Sequence, residues 1–138
     1  MSIVQTQTTS FKKELYTAVH NLATDTIKIA LYTGNADLNE DTTVYSATNE
    51  VSGTGYTAGG EIMTGVSISS SGYVAYANWA NVSWTAALTA RCALIYNVTQ
   101  GNKSIAVLDF GSDKISTTTF TITMPANTST TALIRSSN

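Results

Sequence analysis

Apolar and polar residues alternate along most of this chain, and the period is that of a β-strand. From Thr26 to Thr33 the residues Ile27, Ile29 and Leu31 point one way and Lys28, Ala30 and Tyr32 the other. From Glu61 onward the pattern is almost all strand. Ile62, Val66 and Ile68 alternate with small or polar residues. Further strands are predicted at Tyr73–Ala80, Val82–Trp84, Arg91–Asn97, Ser104–Phe110, Phe120–Met124 and Ala132–Arg135. Turn signals separate them at Ser71-Gly72, Asn97 to Asn102, Gly111 to Lys114 and Pro125-Ala126-Asn127. Leu94-Ile95 and Val107-Leu108 are apolar on both faces. This predicts central strands covered on one side by an opposite sheet and on the other by a helix.

Only residues 10–23 keep helical spacing, with Phe11, Leu15, Val19 and Leu22 on one stripe and Ser10 as the expected N-cap. Residues 1–9 are polar and unpatterned and read as an extended N-terminal arm, disordered alone or laid against a partner. Residues 10–138 then form a single domain. The expected fold is mainly β, a jelly-roll-like β-sandwich with one N-terminal α-helix. Gly34–Thr43 is a loop rich in Asn and Asp. Glu50–Gly60, with Gly53, Gly55, Gly59 and Gly60, is a second long loop, of a kind that often binds something.

Composition narrows the function. The 138 residues carry one His, one Cys and one Pro, only 12% are charged, and more than a quarter are Ser or Thr. The net charge is −2 and the seven basic residues are scattered, which argues against a nucleic-acid partner. No apolar run approaches the roughly 18 residues of a membrane span, and the first ten residues lack the charged and apolar regions of a signal peptide. Cys92 lies in an apolar run and reads as a small buried hydrophobe. Four Asn-x-Ser/Thr triplets, at Asn81, Asn97, Asn102 and Asn127, are what so Ser/Thr-rich a chain contains by chance.

Each candidate for chemistry has a plainer structural reading. Gly53-Thr-Gly55-Tyr-Thr-Ala58 matches a dinucleotide fingerprint in letters, but a strand rather than a helix is expected after it. Asn35, Asp37, Asn39 and Asp41 alternate oxygens, yet Glu40 and Ser46 stand where a calcium loop needs Gly and Glu. They read as turn formers. His20 has no evident acid or nucleophile near it in sequence and is expected at a helix flank, bonded to a loop. Asp109 is expected either as a buried acid or as the partner of a Lys or Arg. One His and one Cys do not make a zinc site. No catalytic, metal or cofactor residue is assigned. The aromatics Tyr45, Tyr73, Tyr76, Trp79, Trp84 and Tyr96 lie mostly in strand-like segments, where packing is their ordinary use. Tyr56 stands in the glycine loop and is expected to be exposed. The expected partner contacts are Ile3 and Val4 in the arm, and Gly53, Gly55, Tyr56, Gly59 and Gly60 in the loop. Thr119, Thr121 and Thr123 alternate with Phe120, Ile122 and Met124, giving an uncharged strand face that a neighbour can cover at small desolvation cost.

Several segments together resemble a family of small structural proteins from the virions of tailed bacteriophages. They are Phe11–Leu22, Ile27–Tyr32, the Glu50–Gly60 cassette, Cys92–Asn97 and Ala106–Gly111, and the likeness runs over residues 11 to 135. The resemblance implies no enzyme activity. It implies a location in the virion after assembly in the host cytoplasm, with the major capsid protein or another virion protein as partner. Capsid decoration by a cement protein fits best, as a homo-oligomer and by preference a trimer. A tail-associated structural or receptor- and carbohydrate-binding module is the alternative.

Overall fold

A computed structural model describes residues 2–137. Met1, the first residue of the expected arm, and Asn138 lie outside the described residues. The chain is mainly β. In order it forms β1 (Thr6–Gln7), α1 (Thr9–Leu15), β2 (Ile27–Tyr32), β3 (Glu61–Ile62), β4 (Ser67–Ser71), β5 (Val74–Asn78), β6 (Val82–Trp84), β7 (Thr89–Asn97), β8 (Lys103–Ile115), β9 (Phe120–Ile122) and β10 (Ile134–Ser136). All pairings between these strands are antiparallel. They build a five-stranded sheet in the order β1-β8-β7-β2-β3, a three-stranded sheet β10-β5-β4 and a pair β6-β9.

The central strand is β7, as its two apolar faces require. One face carries Ala93 and Ile95, which join Ile29 and Leu31 of β2 and Ile105 of β8. Against them pack Trp84, Phe120, Ile122, Ala77 and Ile134 from the two smaller sheets, a sandwich-like core. The other face carries Cys92, Leu94 and Tyr96 beside Ala30, Tyr32 and Val107. The expectation that the helix covers this second face is corrected. Phe11 of α1 belongs to the first core, and the second is closed by Ala36, Leu38 and Tyr45 of the loop after β2, with Ile3.

The helix is shorter than its apolar spacing predicts. Thr8, not Ser10, is the N-cap and accepts a bond from the Phe11 amide. The helix stops at Leu15 because Ala18 takes a left-handed conformation (φ 59°), while the Val19 amide bonds back to the Glu14 carbonyl. Leu22 falls in the next turn, which Asp25 closes by accepting from the Asn21 amide. The turn expected at Gly111–Lys114 lies instead inside the 13-residue β8. Between the pairs Ala90↔Lys114 and Cys92↔Asp109 the two strands advance unequally, and Gly111 (φ 83°) absorbs the resulting bulge. Residues 2–7 are extended on the protein's own surface: β1 pairs with Ala106 and Val107, and Ser2 and Val4 exchange backbone bonds with Leu38.

Candidate interaction surface

The Glu50 carboxylate gathers several of the groups that fasten the glycine loop to the fold. Beyond the two residues paired with β3, the open edge of β2 meets this loop. There the Val51 amide bonds to the Leu31 carbonyl and the Leu31 amide bonds to the Tyr56 hydroxyl (2.9 Å). That hydroxyl donates to Glu50 Oε2 (2.5 Å), the Gly59 amide donates to the same oxygen (2.8 Å), and the Tyr45 hydroxyl donates to Oε1 (2.6 Å). Tyr96 donates to the Gly59 carbonyl (2.6 Å) and stacks on Tyr45, with ring centroids 4.7 Å apart. Tyr32 donates to the Ser46 carbonyl. Burial, followed by the Glu50 charge, pushes the Tyr96 phenol up to about 12. Burial also leads the upward shifts of Tyr32, Tyr45 and Tyr56, reinforced by Glu50 as charge or as hydrogen-bond acceptor.

The expected exposure of Tyr56 is therefore corrected: it is 9% accessible, and Gly59 and Gly60 are buried with it. Glycine is required there because the loop backbone runs against β2. A Cβ on Gly60 would lie 1.8 Å from the Ile29 carbonyl oxygen. Of the seven expected contact residues, Val4, Gly53 and Gly55 are thus accessible, Ile3 is half-buried, and Tyr56, Gly59 and Gly60 are buried. Glu50 is the residue that sequence reasoning missed. Its only signal was a lone acid at the head of a Gly/Tyr loop.

His20 also has an acid that its sequence neighbourhood concealed. Its Nε2 donates to Glu14 Oε1 (2.8 Å) across the helix end, and its Nδ1 accepts from Asn97 Nδ2 (3.0 Å), an assignment that follows from the partners. Asn97 also donates to Asp25 Oδ2 (2.8 Å). Burial raises the Asp25 carboxyl, but the Asn97, Asn21 and Gln100 donors and His20 outweigh it and hold the group below its ordinary value. Among the described residues no hydroxyl or thiol hydrogen-bonds to His20. Asp109 pairs with Arg91 across β7 and β8, and its carboxylate also accepts from the Gly111 amide in the bulge. Cys92 is buried, as expected, and burial pushes its thiol up to about 11. In the Asn/Asp loop Asn39 donates to Asp37 and accepts from the Asp41 amide, which is turn chemistry. Trp79 and Trp84 are 5% and 2% accessible. No helix among the described residues is long and apolar enough to cross a membrane.

A groove of about 720 Å³ lies between β8 and β9. Leu108, Phe110, Ile115, Met124 and Leu133 supply apolar lining, and Thr119 to Pro125 form one wall in unbroken succession. The alternation read from the sequence holds in this wall: Phe120, Ile122 and Met124 are buried, and Thr119, Thr121 and Thr123 are exposed. Among the described residues, β9 is bonded to a strand on one side only, and β8 beyond Val107 has no strand on the side away from β7. Among the described residues lining the groove, Lys114 carries the only charge.

Comparison with protein-family models, with curated proteins and with solved structures found no match for this chain.

Proposed function

We propose that this chain is a non-enzymatic structural protein of a tailed-bacteriophage virion, a decoration or cement protein that stabilises the head through protein–protein contacts. The observation that carries the reading is the β8–β9 groove: apolar inside, rimmed by threonines, and bearing one charge. Covering such a surface strips few charges of water, and a strand edge without a partner offers backbone bonds to whatever lies on it. The proposed occupant is a segment of the major capsid protein or of another virion protein. Val4, Gly53 and Gly55 supply accessible contacts elsewhere. Homo-oligomerisation would give each particle-bound assembly several feet and a high effective concentration for each.

A jelly-roll-like ordering of the sandwich belongs to this reading, as does assembly in the host cytoplasm before incorporation into the virion. The alternative is a tail-associated structural or receptor- and carbohydrate-binding module. Exposed indoles would favour sugar binding, and the burial of Trp79 and Trp84 weakens that reading.

The test is to locate the protein on density-purified phage particles by mass spectrometry and electron microscopy. Stoichiometric copies on the head surface, lost when Thr121→Lys and Thr123→Lys are introduced together, are expected. Absence of the protein from washed particles would overturn the reading.

A further inference from the structure

From Ile62 to Ala90 the chain carries no charged residue. β4 lies inside that stretch and is one edge of the β10-β5-β4 sheet. Edge strands of monomeric proteins are ordinarily guarded by Lys, Glu, Pro or a bulge. Here β10, the opposite edge, carries Arg135, and β3, at the edge of the larger sheet, carries Glu61. β4, Ser67-Ile68-Ser69-Ser70-Ser71, has no such guard, and its pairing with β5 is regular throughout.

The hairpin shows which backbone groups are free. β4 and β5 are joined by the two-residue turn Gly72-Tyr73 with Gly72 at φ 59°, the arrangement with glycine in first place. Such a turn makes Ser71↔Val74 a hydrogen-bonded pair. By alternation Ser69↔Tyr76 and Ser67↔Asn78 are hydrogen-bonded too. The N–H and C=O groups of Ile68 and Ser70 therefore face outward, away from β5. Asn127 touches this edge at its Ser67 end, through the serine hydroxyl.

We propose that β4 is a self-association edge, at which two copies of the chain pair antiparallel about a two-fold axis at Ser69. Full overlap of the strand sets this register. Ser67 faces the partner's Ser71, Ile68 the partner's Ser70, and Ser69 the partner's Ser69. The outward groups of Ile68 and Ser70 then meet one another, and each such pair exchanges both bonds. Nothing charged opposes anything charged, which is the complementarity a strand needs to pair with itself. Ile68, 54% accessible, stands at the mouth of an apolar cleft of about 390 Å³ shared with Leu15, Leu22, Ala77 and Ile134. The two-fold brings both Ile68 side chains to the same face as diagonal neighbours, so the two clefts run together. A second copy thus satisfies the edge and covers the apolar mouth at once. The edge is only five residues long, so the dimer is weak and fast. This contact is separate from the β8–β9 groove and does not depend on the virion reading; either can fail without the other.

Sedimentation equilibrium of the full chain from about 10 μM to about 1 mM is expected to follow a monomer–dimer equilibrium in the weak range. Over the same range amide exchange at Ile68 and Ser70 slows, while exchange at Ser69, already bonded to β5, does not. Ser69→Lys, at an exposed position, sets like charges across the axis and is expected to weaken the dimer at least about tenfold with an unchanged thermal melt. Ser69→Glu alone behaves likewise, and an equal mixture of the two variants associates again. A wild type that is monomeric at the highest concentration overturns the proposal. So does a Ser69→Lys protein that still dimerises, or a mixture that fails to re-associate.

Discussion

The Tyr56 hydroxyl stands 2.5 Å from Glu50 Oε2 while accepting the Leu31 amide at 2.9 Å, so one phenol links a buried strand edge to a carboxylate. It takes the place of a missing neighbour strand. β3 pairs only with Lys28 and Ile29, and without Tyr56 the Leu31 amide would be buried and unbonded.

Tyr56→Phe removes that acceptor and one donor to Glu50 while leaving the ring that packs toward Trp84. A buried group left unsatisfied costs about 1–3 kcal/mol. Urea unfolding is expected to show a loss in that range with an unchanged m-value.

Gly60→Ala is expected to cost more than about 4 kcal/mol and to abolish folding, because a Cβ would meet the Ile29 carbonyl oxygen at 1.8 Å. Gly72→Ala is the control. Its φ is also positive, but nothing lies within 4 Å of the added carbon, and a cost of about 1–2 kcal/mol is expected. Thermal melts of the two variants separate close approach from conformational strain.

Alkaline pH should destabilise the fold. Tyr32, Tyr45, Tyr56 and Tyr96 hold their protons above the ordinary phenol value of 10.0, Tyr96 up to about 12. Between the unfolded and folded values the native state binds more protons than the unfolded one, so stability falls as pH rises. The contribution is complete below pH 10 and drains away above it. Tyrosinate absorbance is expected to show these four phenols ionising together with loss of the fold, and Glu50→Gln should reduce the steepness.

Cys92, with no accessible surface and a thiol pushed up to about 11, should resist aromatic disulfide reagents in the native protein. Full reaction is expected on unfolding, at a rate that reports the opening equilibrium. Rapid labelling of the folded protein would mean that the second core, beneath the loop after β2, opens readily.

With both indoles buried, tryptophan emission should be blue-shifted and little quenched by iodide, moving red only when the protein unfolds. Emission typical of water-exposed indole in the native state would contradict the core built around Trp84 and Phe120.

The outer strands were legible where they have a wet face and a dry one, as where Phe120 and Ile122 alternate with exposed threonines. The central strands were legible from apolar residues on both faces, as at Leu94-Ile95. The helix end was not legible. Nothing local distinguishes Ala18 from an ordinary helical alanine, yet it takes the left-handed conformation. The bulge at Gly111 looked like a turn because glycine serves both, and only pairing with β7 decides between them. Glu50 and Tyr56 are six residues apart in a loop with no period, so no pattern could show them meeting. The Thr119–Met124 wall, by contrast, was readable residue by residue.

Taken alone, the chain of side chains determined a mainly β protein with a double-faced central strand, a buried thiol, and surfaces poor in charge. All of these follow from nearest-neighbour alternation and composition. Tertiary structure decided which edges are covered and which stay open. It turned Tyr56 inward, joined His20 to Glu14, and, among the described residues, left β4 and β9 each without a strand on one side. The reason is that backbone hydrogen bonds must be satisfied somewhere, and the partners that satisfy them are distant in sequence.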